Sequence, residues 1–216
     1  QVRMLDGRPN VLLVVLDSVR ARNCSCYGHR HDTTPVLESL AADATLYTQA
    51  RAPSNWSLPS HVSLFTGVEA HAHRVTTHDR LKPGNTVFDT LTDRGYRTGL
   101  FTENGFLASH EAGLHRAFGT VRTVPDGYDP VYDTTDHNPG PDGFYYADAF
   151  EAWRVSGTEP WAACLNLMDA HRPFEPLARF DRWGDSRARG LQADLSTRWE
   201  WEFHGGDRSY DRLSAL

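Results

Sequence analysis

A few side chains in this sequence stand where they could do chemistry. Asp17 closes the apolar run "VLLVVL", followed by Ser18. Ser57 opens "SLPSHVSLFTG", with His61 four residues on. His171 and Arg172 lie in "MDAHRPF", directly after a second apolar run. A carboxylate at a strand end offers the oxygen that hard cations take. Read locally, Asp17 is equally a helix cap or a partner for Arg20 or Arg22. A serine at the start of a helix sits among unpaired N–H groups at the positive end of the dipole, a place that binds sulfate or phosphate and eases ionisation of a hydroxyl. The same position suits an N-cap serine. His171 can donate to an anion or protonate a leaving group, or it can cap a turn. His61, one turn past Ser57 on the same helix face, can be a base, an anion donor or a packing residue. His71 and His73 are two apart, and on a helix such residues do not face each other, so they make a poor metal pair.

These residues need elements to carry them. "NVLLVVLD" is a β-branched and leucine run of the kind buried on both faces of a sheet. "DTTPVLESLAADA" places Thr34 as cap and Pro35 at the first position of a helix. "TLYTQARA" reads as a short strand. "LPSHVSLFTG" reads as a short helix ended by Gly67, and "NTVFDTLTDRG" as another, capped by Asn85 or Thr86 and ended by Gly95. "YRTGLFT" and "WAACLNLM" are strands. "VPDGYDPVYDTTDHNPGPDG" is a surface loop, and the helix "FYYADAFEAWRV" follows it. The tail from Arg179 is polar, arginine-rich and helical in character. Alternating apolar strands and helices imply a three-layer α/β sandwich with a mainly parallel or mixed central sheet flanked by helices. Ligands of such sheets bind outside the carboxyl ends of the strands. Asp17 and His171 would therefore converge on one edge.

The bulk numbers bound the class. At 216 residues with 39% hydrophobic and 23% charged residues, the chain has the composition of a soluble globular domain. No apolar run reaches membrane-spanning length and no signal peptide is legible, so a cytoplasmic location is the default expectation. Twenty-two basic against 28 acidic residues give a net charge of −6, which argues against nucleic acid as a partner. Three cysteines form neither a disulfide framework nor a zinc spacing and are expected as reduced, structural thiols.

In order along the chain stand "RPNVLLVVLDSVRARNCSCYGH", "TTPVLESLAADATLYTQARAPSNWSLPSHVSLFTG", "HRV", "TVFDTLTDRGYRTGLFTENGF" and "LNLMDAHRPFEP". Over roughly residues 8–176 this series resembles the amino-terminal part of a sulfatase of the alkaline phosphatase superfamily. The resemblance implies a single sulfatase-like domain over 1–216 with the alkaline-phosphatase-like fold, lacking the carboxyl-terminal part of that fold. It implies a divalent cation, calcium first, with magnesium, manganese or zinc as alternatives. Asp17 would hold it, with Ser18 at the position of the usual second acid. It implies that Ser57 is the nucleophile, as formylglycine or as serine, with His171 and His61 catalytic and Asn104, His73 and Arg172 contacting substrate. The expected partner is a small-molecule or saccharide ester of sulfate or phosphate.

The chain departs from the family pattern in two places. His61 stands where an arginine is usual after Pro-Ser, and Glu103-Asn104-Gly105 stands where Gly-Lys-Trp is usual. Two cations that would neutralise sulfate are thereby replaced. The departures keep two further readings open, namely a phosphohydrolase or phosphotransferase using unmodified Ser57, and a non-catalytic anion-binding chain. A serine esterase is disfavoured by the absence of a Gly-x-Ser-x-Gly elbow.

Overall fold

A computed structural model of the chain describes residues 7–126, 142–171 and 176–187. Arg172, most of the loop expected over 124–143 and the polar tail beyond residue 187 lie outside the described residues. Ten regular elements follow in chain order: β1 (Val11–Leu16), α1 (Pro35–Asp43), α2 (Ser57–Thr66), α3 (Ala70–His73), α4 (Val87–Asp93), β2 (Arg97–Thr102), α5 (Gly105–Ala108), β3 (Thr120–Arg122), α6 (Gly143–Val155) and β4 (Trp161–Leu167). Three short 3-10 turns accompany them.

The four strands form one parallel sheet in the order β1-β4-β2-β3, with Val15 and Thr102 both aligned on Asn166. Side chains alternate across a strand, and this assigns the two faces. On one face Ala162 and Cys164 of β4 and Leu100 of β2 join Leu58, Val62 and Phe65 of α2 and Phe88 of α4 in the larger core. On the other, Ala163 and Leu165 of β4 and Phe101 of β2 pack with Tyr146 and Trp153 of α6. Helices thus cover both faces of β2 and β4, giving the three layers expected. Gly99 of β2 makes room for this packing, because a Cβ there would come within 3.1 Å of the Trp153 ring.

Local grammar explains the helix limits. Thr86 and Asp89 make a reciprocal capping box at the start of α4. Gly67 ends α2 in the left-handed conformation at φ 71°, which costs glycine little. Pro35 opens α1, and Thr34 stands at its cap position without capping it by side chain. The Thr34 hydroxyl instead meets Ser25 Oγ at 3.1 Å.

One expectation fails. Residues 45–52 form no strand, since all are exposed and none lies in the sheet. The β-branched and aromatic residues there satisfy strand propensity, but propensity without a neighbouring strand to pair with does not make one.

Candidate active site

The parity that sorts the core also builds the site. Leu13 packs into the larger core, so Asp17, four residues on in an extended run, emerges on the α2 face just past the carboxyl end of β1. The Asp17 N–H donates to the Leu167 carbonyl at 2.9 Å, which carries the β1–β4 ladder one residue further and fixes the aspartate backbone. Thr102 and Asn166 reach the same face from β2 and β4, and Asn104 follows at the start of α5.

Three donors converge on one Asp17 oxygen. Oδ2 accepts from Ser57 Oγ at 3.1 Å, Asn166 Nδ2 at 3.1 Å and Asn104 Nδ2 at 3.2 Å. Ser57 is the first residue of α2, and the cap position belongs to Trp56, which offers no side-chain hydrogen bond. The Ser57 hydroxyl is therefore spent on Asp17 rather than on capping the helix. Ser18, next to Asp17, turns the chain with φ at +61°, a left-handed conformation that a non-glycine residue adopts only under constraint from its surroundings. Its hydroxyl lies 3.4 Å from Asp17 Oδ1.

Both amides are locked with their nitrogens toward the aspartate. Asn104 Oδ1 accepts the Phe106 N–H at 3.1 Å, capping α5. Asn166 Oδ1 accepts the Thr102 hydroxyl at 2.8 Å, while that hydroxyl oxygen accepts the Asn104 N–H at 2.9 Å. Thr102 is buried, with its proton given to Asn166 and its oxygen accepting from the Asn104 backbone.

His61 is buried against Phe65, with its Nδ1 2.8 Å from the Ser57 carbonyl. A carbonyl only accepts, so Nδ1 carries the proton. Nε2 lies 3.5 Å from Asn166 Nδ2. Burial pushes the imidazole below the usual histidine range, outweighing the Ser57 hydrogen bond and the field of Asp17.

The other expected residues are placed as follows. His73 sits in α3, where Nδ1 accepts the Val75 N–H at 2.9 Å and Nε2 lies 3.2 Å from the Pro59 carbonyl and 3.1 Å from Ser63 Oγ. It ties α3 to α2, and no hydrogen bond joins it to the Asp17 cluster. His171 lies in the turn after β4, its N–H donating to the Met168 carbonyl at 2.8 Å, so it shares the sheet edge with Asp17. The three cysteines are free thiols, as expected.

Sequence reasoning missed Asn166 and Thr102. The signal was a lone amide in an otherwise apolar buried strand, since a buried polar side chain needs a partner. Glu103 was noted only as a departure. It is 9% exposed and turned to the α6 face, and burial with Asp169 nearby pushes its carboxyl up to about 7.

A hard divalent cation takes several carboxylate and carbonyl oxygens. Among the described residues Asp17 is the one carboxylate of this cluster, and the oxygens of Asn104 and Asn166 are engaged elsewhere. No group of three or more His, Cys, Asp or Glu suited to a metal occurs among them. The described residues supply part of a cation site and not a whole one.

A parallel sheet whose strand ends present an aspartate and a helix-start serine defines a class. The fold superimposes on a protein of the alkaline phosphatase superfamily from Vibrio parahaemolyticus with a TM-score of 0.62 at 18% identity, covering 84% of this chain and 45% of that one. The phosphonate monoester hydrolase of Agrobacterium radiobacter gives 0.63 at 23% identity, over 80% of this chain and 44% of that one. At these identities the likeness concerns the fold. The sulfatase family model matches residues 9–210, and the chain belongs to the sulfatase family. It is similar to human arylsulfatase A, 31% identical over 133 residues, 51% of this chain. It spans about a quarter of that relative's length, 25%. Among the described residues no helix is long and apolar enough to cross a membrane.

Proposed function

We propose that this domain carries the nucleophile side of a sulfatase active site and acts in hydrolysis of a sulfate ester. The observation that carries the reading is the hydrogen bond from Ser57 to Asp17 at the carboxyl edge of the sheet, with Asn104 and Asn166 on the same carboxylate. It supports Ser57, as serine or as formylglycine, in the role of the group that attacks the ester. Placed at the first turn of a ten-residue helix, Ser57 stands where N–H groups and the dipole favour the negative charge of a bound ester. Asn104 Nδ2 points into the same space as a neutral donor where the family pattern has a lysine. His171 is assigned to the leaving oxygen, and Arg172 to substrate binding.

Asp17 is proposed as a cation ligand, with calcium first and magnesium, manganese or zinc as alternatives; a bound cation would supply charge neutralisation of the ester oxygens. The remaining ligands would come from polypeptide outside the described residues, consistent with a domain that is one part of a larger fold. The substrate class is a small-molecule or saccharide ester.

One observation favours a second reading, phosphoester chemistry on unmodified Ser57. Of the two usual cations, one is replaced by His61, whose proton is committed to a backbone carbonyl, and the other by the neutral amide of Asn104. The deciding experiment is mass analysis of the peptide holding Ser57, combined with hydrolysis of an aryl sulfate against an aryl phosphate by the protein and its Ser57→Ala variant. Loss of two hydrogens at Ser57 and Ser57-dependent sulfate hydrolysis are expected. A phosphorylated, unoxidised Ser57 with turnover of phosphate alone would overturn the sulfatase reading in favour of the second.

A further inference from the structure

We propose that Asn166 is a positioning residue, pinned by Thr102, whose amide holds Asp17 on one side and keeps His61 a neutral, Nδ1-protonated clamp on the other. The argument is a closed chain of donors and acceptors. Asp17 Oδ2 can only accept, so the Asn166 amide turns its NH2 end to the carboxylate and its oxygen to the Thr102 proton, 2.8 Å away, while the Thr102 oxygen accepts the Asn104 N–H at 2.9 Å. That fixes which end of the Asn166 amide is oxygen. The NH2 end therefore faces Asp17 Oδ2 at 3.1 Å and His61 Nε2 at 3.5 Å. Across the ring, Nδ1 gives its proton to the Ser57 carbonyl at 2.8 Å. A donor at Nε2 and an acceptor at Nδ1 together admit one form of the imidazole, the neutral Nδ1–H tautomer.

The consequence concerns Ser57. Its hydroxyl points at Asp17. His61 holds the backbone of Ser57 through a proton it cannot exchange for the hydroxyl's, because its free lone pair faces Asn166. His61 is thus assigned to holding the first turn of α2 against β4, in place of the base role its spacing from Ser57 suggests. Burial, which disfavours the imidazolium, works in the same direction. Asp17 is the charged group acting on the ring. Thr102, Asn104, Asn166 and His61 are buried, so water does not compete for the bonds among them, and a half-satisfied network would be costly.

What this means for catalysis rests on the proposed role of Ser57, but the relay does not, and its test reads imidazole nitrogens rather than turnover. The test is long-range 15N–1H correlation of the histidine rings in the 15N-labelled full chain. His61, assigned through a His61→Gln control, is expected as one neutral species protonated at Nδ1 at pH 7. Thr102→Val frees the amide and is expected to move the Nε2 resonance, and Thr102→Ser to restore it. A wild-type ring protonated at Nε2 would overturn the proposal, as would a Thr102→Val spectrum identical to wild type. None of these outcomes depends on whether Ser57 attacks sulfate, phosphate or neither.

Discussion

Strands β1 and β4 lie side by side in the same sheet and deliver neighbouring side chains to the same site, yet they live in different surroundings. β4 is covered twice, by α2 on one face and α6 on the other, and its residues from Trp161 to Asn166 are buried. β1 pairs with β4 alone among the described residues. Leu12, Val14 and Leu16 share a face with Ala163, Leu165 and Leu167 through the parallel register, but they extend past the reach of α6 and are 45%, 47% and 39% exposed. Both strands read as continuous apolar runs, the pattern of strands buried on both sides. One of them is so buried here, and the other carries apolar surface waiting for a cover. The site inherits this asymmetry. Asn104 and Asn166 stand on the well-packed side, while Asp17, which they both hold, stands on the bare side.

The comparison breaks first where packing is densest. Phe101, fully buried on β2, packs edge-on against Trp153 and Phe150. Phe101→Ala is expected to cost about 3–5 kcal/mol, because the lost transfer free energy adds to that of an unfilled cavity. Urea denaturation measures it. A loss below about 1 kcal/mol would mean that the α6 face is as loosely held as β1 and would remove the distinction between the strands.

Glu103 tests the electrostatics of the covered side. Its carboxyl is raised from 4.5 to about 7, by burial first and by Asp169 second. The folded protein therefore binds this proton more tightly than the unfolded chain. Stability from this group is complete below about pH 4.5 and declines as the pH rises through 7, by about 1.4 kcal/mol for each pH unit of that window. Glu103→Gln keeps the shape and removes the ionisation. It is expected to match the wild type near pH 4.5 and to exceed it in stability at pH 8. Denaturation curves at the two pH values check this, and parallel pH profiles for the two proteins would show that Glu103 is solvated.

A smaller effect is expected at the start of α4, which packs on β2. The Thr86 hydroxyl accepts the Asp89 N–H at 3.0 Å, and the Asp89 carboxylate accepts the Thr86 N–H at 2.9 Å. Thr86→Ala removes one of the two bonds of the box and is expected to cost about 1 kcal/mol. Thermal unfolding would show it, and no change would mean that the tertiary contacts of α4 hold the end without the cap.

Much of this could be seen in the sequence, and for physical reasons. The runs ending at Asp17 and before Asp169 are strands because β-branched and apolar residues crowd there without charge, and the rule about carboxyl ends then brings Asp17 and His171 to one edge. Asn166 was hidden because its meaning depends on register. Only when β1, β4 and β2 are aligned does the amide fall between Asp17, Thr102 and His61. His73 was misleading for the opposite reason. It enters through the family resemblance, while its ring nitrogens meet the Pro59 carbonyl and Ser63 hydroxyl of α2 and the Val75 N–H after α3, contacts that no local pattern announces. The absent strand at residues 45–52 failed on context too, since local preference cannot show whether a neighbour exists to pair with.

The smallest effect is the most informative about β1. Val14 is 47% exposed, whereas Leu165, its register partner on β4, is buried. Val14→Lys places a charge on an apolar strand that pairs with β4 alone and whose side chain at this position is open to solvent among the described residues. Substitutions at such open positions shift stability by about 0.5 kcal/mol or less, and that is the expected result for the chain of 216 residues. The same lysine opposite a seated helix or strand would bury an unpaired charge, which costs several kcal/mol. A large loss in urea denaturation would therefore mean that the face of Leu12, Val14 and Leu16 is covered in solution. Sedimentation measurements on the wild type and the variant would then separate a second copy, which would dissociate, from the chain's own polypeptide, which would leave the mass unchanged.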